Sequence, residues 1–331
     1  MTCAMKNRCK RYWLWACLAV LLLLGGAVWG GASYLLSYAL VPERETDEVA
    51  QAWEAQYRDY PGMQEWHDSL LSVRALRDTF LLSDDGVRLH AYYVRAARSG
   101  GRTAVLVHGY TDNAVCMMML ARMYERELGM NVLLPDLRYA GKSGGDHIQM
   151  GWRDRLDVKR WVESLPILFG DSLHVVVHGI SMGAATTMML SGEELPAYVS
   201  AFVEDCGFTS VYAQFSKELR ERFHLPAFPL MPVASWLCER RYGWNFREAS
   251  ALEAVKRCQR PMFFIHGDAD DYVPTAMVYE LYAAHPGPKA LWVVPGAAHA
   301  VSYRDYPVEY LQRVKDFLGI EFRNKDGAGR H

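Results

Sequence analysis

Gly179-Ile180-Ser181-Met182-Gly183 follows the apolar run Val175-Val176-Val177 and leads into Ala184-Ala185-Thr186-Thr187-Met188-Met189. A serine hydroxyl is a poor nucleophile until a base takes its proton. Small residues on either side let the chain hold it exposed on a sharp strand-to-helix turn. GxSxG arises by chance in many chains, but here the strand and the helix that the motif requires both flank it. Ser181 is therefore the candidate nucleophile for an ester- or amide-like carbonyl. The plainer reading is a glycine-lined turn that packs a helix onto a sheet.

A base is needed beside it. Pro295-Gly296-Ala297-Ala298-His299 follows the apolar run Leu291-Trp292-Val293-Val294, which sets His299 on a loop at the carboxyl edge of a sheet. A lone histidine is more often structural, yet this one falls where the base belongs. An acid must then orient the imidazole and stabilise its charged form. Phe263-Phe264-Ile265-His266-Gly267-Asp268-Ala269-Asp270-Asp271 offers three carboxylates within four positions. Asp270 is the choice, Asp268 is expected to cap backbone amides in the tight turn after the strand, and Asp271 stays as runner-up. Donors for a developing oxyanion are expected from the amide of Met182 and from the amide of Tyr110, in the glycine turn His108-Gly109-Tyr110. Tyr139, Phe208 and Tyr272 are the candidates for lining the substrate pocket.

Elements must deliver these residues to one edge. Thr79–Leu82 and Val87–Val94 read as a hairpin about Asp85-Gly86. Short apolar strands then alternate with helical stretches, as in a parallel sheet covered on both faces. The strands are Ala104–Val107, Val132–Leu134, His174–Val177, Ala201–Val203, Met262–Ile265 and Leu291–Val294, eight in all with the hairpin. Helices are expected at Ala114–Glu127, Trp152–Leu168, Met182–Met189, Ala276–Ala284 and Pro307–Phe317. The gap between Phe208 and Arg260 exceeds one crossover and holds a proline-rich apolar patch, Leu225 to Pro232. A lid of about 209–258 is expected there, since loops at the carboxyl ends of strands surround the ligand crevice.

Upstream, Tyr12 to Val41 contains no Asp, Glu, Lys, Arg or His, a run longer than the roughly 20 residues that span a bilayer as a helix. Residues 12–41 are expected to be a transmembrane anchor, with Trp13 and Trp15 at one interface and Tyr34 and Tyr38 at the other. Lys6, Arg8, Lys10 and Arg11 precede the run, and Glu43, Glu45, Asp47 and Glu48 follow it. The positive-inside rule leaves residues 1–11 in the cytoplasm and the body outside. A cleaved signal peptide competes, but the stretch is long and lacks a clear small-residue cleavage site. Gly26 and Gly30 form a GxxxG pair through which two anchors could approach as a homodimer. Glycine is common in such helices, so the pair is a weak indication. Residues 42–76 read as a helical connector broken at Pro61-Gly62, with Trp53, Tyr57 and Trp66 packing onto the body, and 321–331 as a polar tail.

The 331 residues are 51% hydrophobic and 22% charged, enough for a sizeable core. Net charge is −2, with four positive charges in the first eleven residues, so the body is acidic and a nucleic-acid partner is disfavoured. Cys116, Cys206, Cys238 and Cys258 lie in the body. No spacing suggests zinc. An exported body could hold a disulfide, and Cys238 with Cys258 is the first candidate, with isolated buried thiols the alternative.

Together His108-Gly109-Tyr110-Thr111, Asp136-Leu137-Arg138 with Gly141 and Ser143, Gly179-Ile180-Ser181-Met182-Gly183, His266-Gly267 with Asp270 and Val273-Pro274, and Gly296 with His299 resemble the α/β-hydrolase superfamily. The resemblance covers about Thr79 to Leu318, and the chain is similar to bacterial membrane-anchored members labelled prolyl-oligopeptidase-like or dienelactone-hydrolase-like, which implies a bacterial cell envelope. It implies an α/β-hydrolase fold at 77–320, a Ser–Asp–His triad, no cofactor or metal, and hydrolysis of esters, thioesters or amides. Arg138-Tyr139-Ala140-Gly141 replaces the commoner Arg-Gly-His-Gly, so Tyr139 is expected to reshape the pocket rim. The segment before Thr79 is too short for the β-propeller that gates true oligopeptidases.

The expectation is a carboxylesterase or lipase-like enzyme acting on a small-molecule or lipid-like acyl substrate. A peptidase, amidase or acyltransferase on the same triad is the alternative, and a noncatalytic binding protein of the same fold is the alternative of another class.

Overall fold

The structure, a computed structural model, describes residues 2–44, 46–97 and 99–327, with side chains within those ranges from 11 to 319. The side chains of Cys3, Lys6, Arg8, Cys9 and Lys10, residue Glu45, and the side chains of the expected polar tail lie outside it.

The apolar run forms one helix, α1 (Thr2–Leu40). It ends two residues short of Pro42, because a proline pushes its predecessor into extended backbone. Its stretch Arg11–Leu40 is long and apolar enough to cross a bilayer. From residue 11 to Gly30 every side chain but that of Val28 is exposed, whereas Ala32, Leu36 and Leu40 are buried in the body. A spacing of four sets these three on one helix face. The expected anchor 12–41 is thus two things in sequence, a free apolar stretch and a last third that belongs to the core. Gly26 and Gly30 lie on the free stretch, where, among the described residues, nothing beyond their own helix backbone comes within 4 Å of the position of a Cβ.

Next come α2 (Glu48–Asp59) and α3 (Met63–Ser72), separated at Pro61-Gly62. Met63, Trp66 and Leu70 bury against the body, and Trp53 stacks on His67 with centroids 3.7 Å apart. The connector is therefore a packed layer of the domain.

Among the described residues, eight strands form one sheet: β1 (Arg77–Leu82), β2 (Arg88–Val94), β3 (Arg102–Val107), β4 (Asn131–Pro135), β5 (His174–Ile180), β6 (Val199–Asp205), β7 (Met262–Gly267) and β8 (Lys289–Val294). Their order is β1-β2-β4-β3-β5-β6-β7-β8, with β2 antiparallel to both of its neighbours and the other pairs parallel. Parallel strands covered on both faces need apolar residues at every position. Ala104, Leu106, Val132 and Leu134 accordingly pack on one face and Val105, Val107 and Leu133 on the other.

The segment expected as one helix at Ala114–Glu127 is instead a 3-10 turn, a short helix α4 (Met118–Arg122) and a wide π turn at Met123–Glu127. Its start is tied down rather than free to coil. Asp136 Oδ1 accepts the Ala114 amide at 2.7 Å, and Asn113 Oδ1 accepts the Val115 amide at 3.0 Å. On the opposite face lie α5 (Asp154–Phe169) and α6 (Met182–Ser191), followed after β6 by α7 (Val211–Phe223), α8 (Ala227–Tyr242) and α9 (Ala251–Val255). These last three fill the insertion expected at 209–258. Then α10 (Ala276–Ala284), α11 (Ser302–Asp305) and α12 (Pro307–Gly327) close the fold, the backbone of α12 continuing helical into the expected tail.

Cys238, on α8, and Cys258, after α9, are both free thiols, which corrects the expected disulfide. Cys258 Sγ instead donates to Arg260 O at 3.6 Å, while Cys238 is buried as a small apolar side chain. Of the motif residues after β4, Arg138 is buried between Asp157 and Asp85, tying the hairpin tip to α5. Asp136 takes His90 Nδ1 at 2.6 Å. Both residues position elements and do not face the serine.

Candidate active site

Ser181 sits between β5 and α6 with φ 57° and ψ −119°, a backbone that L side chains rarely adopt. The flanking glycines make room for it. A Cβ on Gly179 would overlap Gly183 O, and one on Gly183 would overlap Val107 O, so neither position accepts a side chain. The Ser181 amide donates to Asp205 O at 2.8 Å, and the hydroxyl is aimed at the loop after β8.

There, His299 Nε2 lies 2.8 Å from Ser181 Oγ, and His299 Nδ1 lies 2.7 Å from Asp270 Oδ2. With Asp270 ionised, Nδ1 carries the proton and donates to the carboxylate, which leaves Nε2 free to accept from the serine. The other carboxylate oxygen, Asp270 Oδ1, accepts the amides of Tyr272 at 3.0 Å and Val273 at 2.8 Å. Burial alone would raise this carboxyl's pKa. Hydrogen bonds from His266 and His299, the charge of His299 and the Val273 amide outweigh it and hold the group well below the usual carboxylate range. Asp268 Oδ1 accepts the Gly296 amide, the capping role expected of it. Asp271 is exposed, and its backbone carbonyl accepts from Lys217 Nζ, whereas His299 Nδ1 is paired with Asp270.

The first N–H groups of α6 have no partner within the helix, and Met182 is its first residue. Gly109 faces the nucleophile, a Cβ there lying 3.6 Å from Ser181 Cβ, so the turn carrying the Tyr110 amide runs past the reacting oxygen. His108 pins that turn. Its Nε2 accepts the Leu137 amide at 2.9 Å, so Nδ1 carries the proton and donates to Gly109 O at 2.8 Å.

A pocket of about 460 Å³ opens from Ser181 and Met182, and Phe208, Tyr110 and Tyr272 line it. Tyr272 also stands 4.9 Å from the His299 ring. Tyr139, expected at the rim, is displaced by one layer. Its hydroxyl donates to Pro42 O at 3.0 Å and holds the segment that follows α1. Sequence reasoning missed the pocket's opposite wall, which is α1 itself through Leu35, Leu36, Tyr38 and Ala39. Tyr110 Oη donates to Ala39 O at 2.8 Å, and the Ile148 amide donates to Leu40 O at 2.7 Å. The signal available was the period of four in Ala32, Leu36 and Leu40, masked by an apolar run in which every face looks alike.

Behind the triad lies a buried polar layer. His266 Nε2 donates to Val273 O at 2.9 Å and passes 3.3 Å from Asp270 Oδ2. Burial pushes the Glu204 carboxyl up to about 8, while nearby His266 and the Gly207 amide act the other way. His178 is held between the hydroxyls of Tyr124 and Tyr310 at 3.0 and 2.9 Å, and burial lowers it to about 3, leaving it neutral and structural. Cys206, Asp270 and His299 present ligand-type atoms within 4.8 Å of one another. The facing atoms of Asp270 and His299 are already spent on each other, so the trio is an acid–base pair with a thiol beside it.

The family model described as "Alpha/beta hydrolase family" matches residues 104–313. An uncharacterized Bacillus subtilis protein, YqkD, is 31% identical over 76% of this chain and 83% of its own length. The alpha/beta hydrolase domain-containing protein WAV2 of Arabidopsis thaliana is 27% identical over 62% of this chain and 65% of its own length. Among solved structures, the esterase Pf2001 of Pyrococcus furiosus superposes with a TM-score of 0.61 at 25% identity, covering 76% of this chain and 95% of that one.

Proposed function

The chain belongs to the alpha/beta hydrolase family, and from that premise we propose that it is a serine hydrolase that cleaves carboxylic esters through an acyl-enzyme. The observation that carries the reading is the continuous hydrogen-bonded line from Ser181 Oγ through His299 to Asp270. His299 Nε2 takes the Ser181 proton as Oγ attacks the acyl carbon. The carbonyl oxygen becomes an oxyanion beside the Met182 and Tyr110 amides, each such donor being worth about 3 kcal/mol of barrier. As the tetrahedral intermediate collapses, Nε2 returns the proton to the leaving alkoxide and the alcohol departs. Water then loses a proton to the same nitrogen and attacks the acyl-enzyme, releasing the acid and restoring Ser181. Asp270 stays ionised throughout and holds the imidazole in the required tautomer.

The esterase activity of the Pyrococcus neighbour and the apolar walls of the pocket support an ester over an amide. The free stretch of α1 supports a membrane anchor, with the body outside by the positive-inside rule.

A fluorophosphonate probe tests the mechanism. Wild-type protein is expected to label and to hydrolyse acyl esters. Ser181→Ala is expected to lose labelling and to slow hydrolysis by about 10⁴-fold or more. Equal labelling of the variant overturns the mechanism, and turnover of aminoacyl amides but no esters overturns the substrate preference.

A further inference from the structure

A spanning helix leaves its protein body where the body meets the bilayer, and on α1 that point is Gly31. The exposed stretch from Tyr12 to Gly30 is about 28 Å long at 1.5 Å per residue, close to the roughly 30 Å hydrocarbon core. The lid helix α8 packs at this level. Leu230 sits against Gly31, and Arg241 Nη2 donates to Ser33 Oγ at 2.7 Å. Along the outer side of α8, Pro232, Trp236 and Arg240 recur every fourth residue, all exposed, with Arg240 5.5 Å from the Trp236 ring, and Phe228, extended at a kink in the first turn, is exposed just ahead of them. Phe228 is 76% exposed, and Leu225, just before the helix, is also solvent-exposed. An apolar row with a tryptophan and an arginine at its end is what the boundary between lipid tails and headgroups accommodates.

The pocket begins within two turns of the same point. From Gly31 to Ala39, α1 rises about 12 Å, and over that rise Leu35, Tyr38 and Ala39 form one wall while Leu230 and Met231 of α8 form another. The exposed lining residues are Tyr38, Val41, Glu43, Thr111 and Arg222, and at Tyr38 and Arg222 the rim adjoins the end of α7, where the Tyr38 ring meets the edge of Phe223, two residues before Leu225. Apolar side chains therefore lead from the free part of α1, past the lid tip, to the pocket at Ser181, with the Arg222–Glu218 ion pair at the rim.

We propose that the lid tip and the outer row of α8 rest in the bilayer surface, and that the pocket opens onto the membrane between α1 and the end of α7, taking its acyl chain from an ester that resides in the bilayer. The proposal rests on the serine-hydrolase reading and adds the source of the substrate. The acyl chain passes from lipid tails to the pocket without crossing water, and the ester carbonyl reaches Ser181 above the headgroup plane.

The test uses the full chain reconstituted in phosphatidylcholine vesicles and two esters with the same leaving group, p-nitrophenyl palmitate dissolved in the bilayer and p-nitrophenyl butyrate in the water. Leu225→Asp with Phe228→Asp charges the lid tip at two exposed positions that do not line the pocket. Palmitate turnover is expected to fall about tenfold or more, the worth of one apolar side chain withdrawn from lipid. Butyrate turnover should stay within about twofold, as for surface substitutions generally. Trp236→Glu, on the same row, should act in the same direction, and fluorophosphonate labelling of Ser181 reports that each variant is folded. Unchanged palmitate turnover, or equal loss on both esters, overturns the membrane-facing pocket while leaving the hydrolase reading in place. If wild-type protein neither labels nor turns over either ester, the hydrolase reading falls and this proposal falls with it.

Discussion

Glu204 is a carboxyl with no exposure to water, one strand residue before Asp205, whose carbonyl fixes the Ser181 amide. Folded, it keeps its proton up to about pH 8, whereas unfolded it loses the proton near its ordinary 4.5. Between those values the folded state holds the extra proton, so stability falls as pH rises through the window and levels off above it. Glu204→Gln, which keeps an acceptor for the Gly207 amide, should remove this slope. We expect the variant to gain a few degrees in Tm over wild type at about pH 8 and little at about pH 5, as read by thermal denaturation at the two pH values. An equal difference at both values would mean that Glu204 carries no such proton. At this scale the sequence was legible wherever chemistry dictates spacing. Ser181, Asp270 and His299 each followed a strand in the expected order. His266 and Glu204 were harder to read, because a buried polar residue inside an apolar strand looks like an interruption until its neighbours across the sheet are known.

Among the elements, α1 departs most from its appearance. Leu36 and Leu40 are as buried as any side chain of the sheet, and removing a buried leucine costs about 2–5 kcal/mol. A chain beginning at Glu43 loses both of these, together with one wall of the pocket. We expect its Tm to lie well below that of the full chain in the same detergent, by about 10 °C or more, and its long-chain ester activity to be lost first. Equal Tm values would show that the last third of α1 only rests on the body. The strands and the helical insertion between β6 and β7 could be read from alternation and gap length. The broken helix at Ala114–Glu127 could not, since the bond from Asp136 to the Ala114 amide joins residues 22 apart in the chain. The same limit hid the wall made by α1. An unbroken apolar run gives no period by which to tell a face that meets lipid from one that meets protein.

For the whole molecule, this packing bears on whether the N-terminal helix is retained. A signal peptide is removed from a body that folds without it. Here cleavage at the end of the apolar run, after Pro42, would strip Ala32, Leu36 and Leu40 from the core and free the Tyr110 and Tyr139 hydroxyls from Ala39 O and Pro42 O. The mature protein is therefore expected to keep the last third of the helix. Intact mass and N-terminal sequencing of protein taken from membranes should find residues 32–42 present, and a mature chain starting after Pro42 would refute this.

The helix is continuous from Thr2 to Leu40, so the segment proposed to meet the bilayer and the segment that flanks Ser181 share one axis. A span of fixed length tilts when the hydrocarbon around it becomes thinner. In this molecule that tilt would act as a lever whose short arm is a side of the active site, making bilayer thickness a setting of the width available to the substrate.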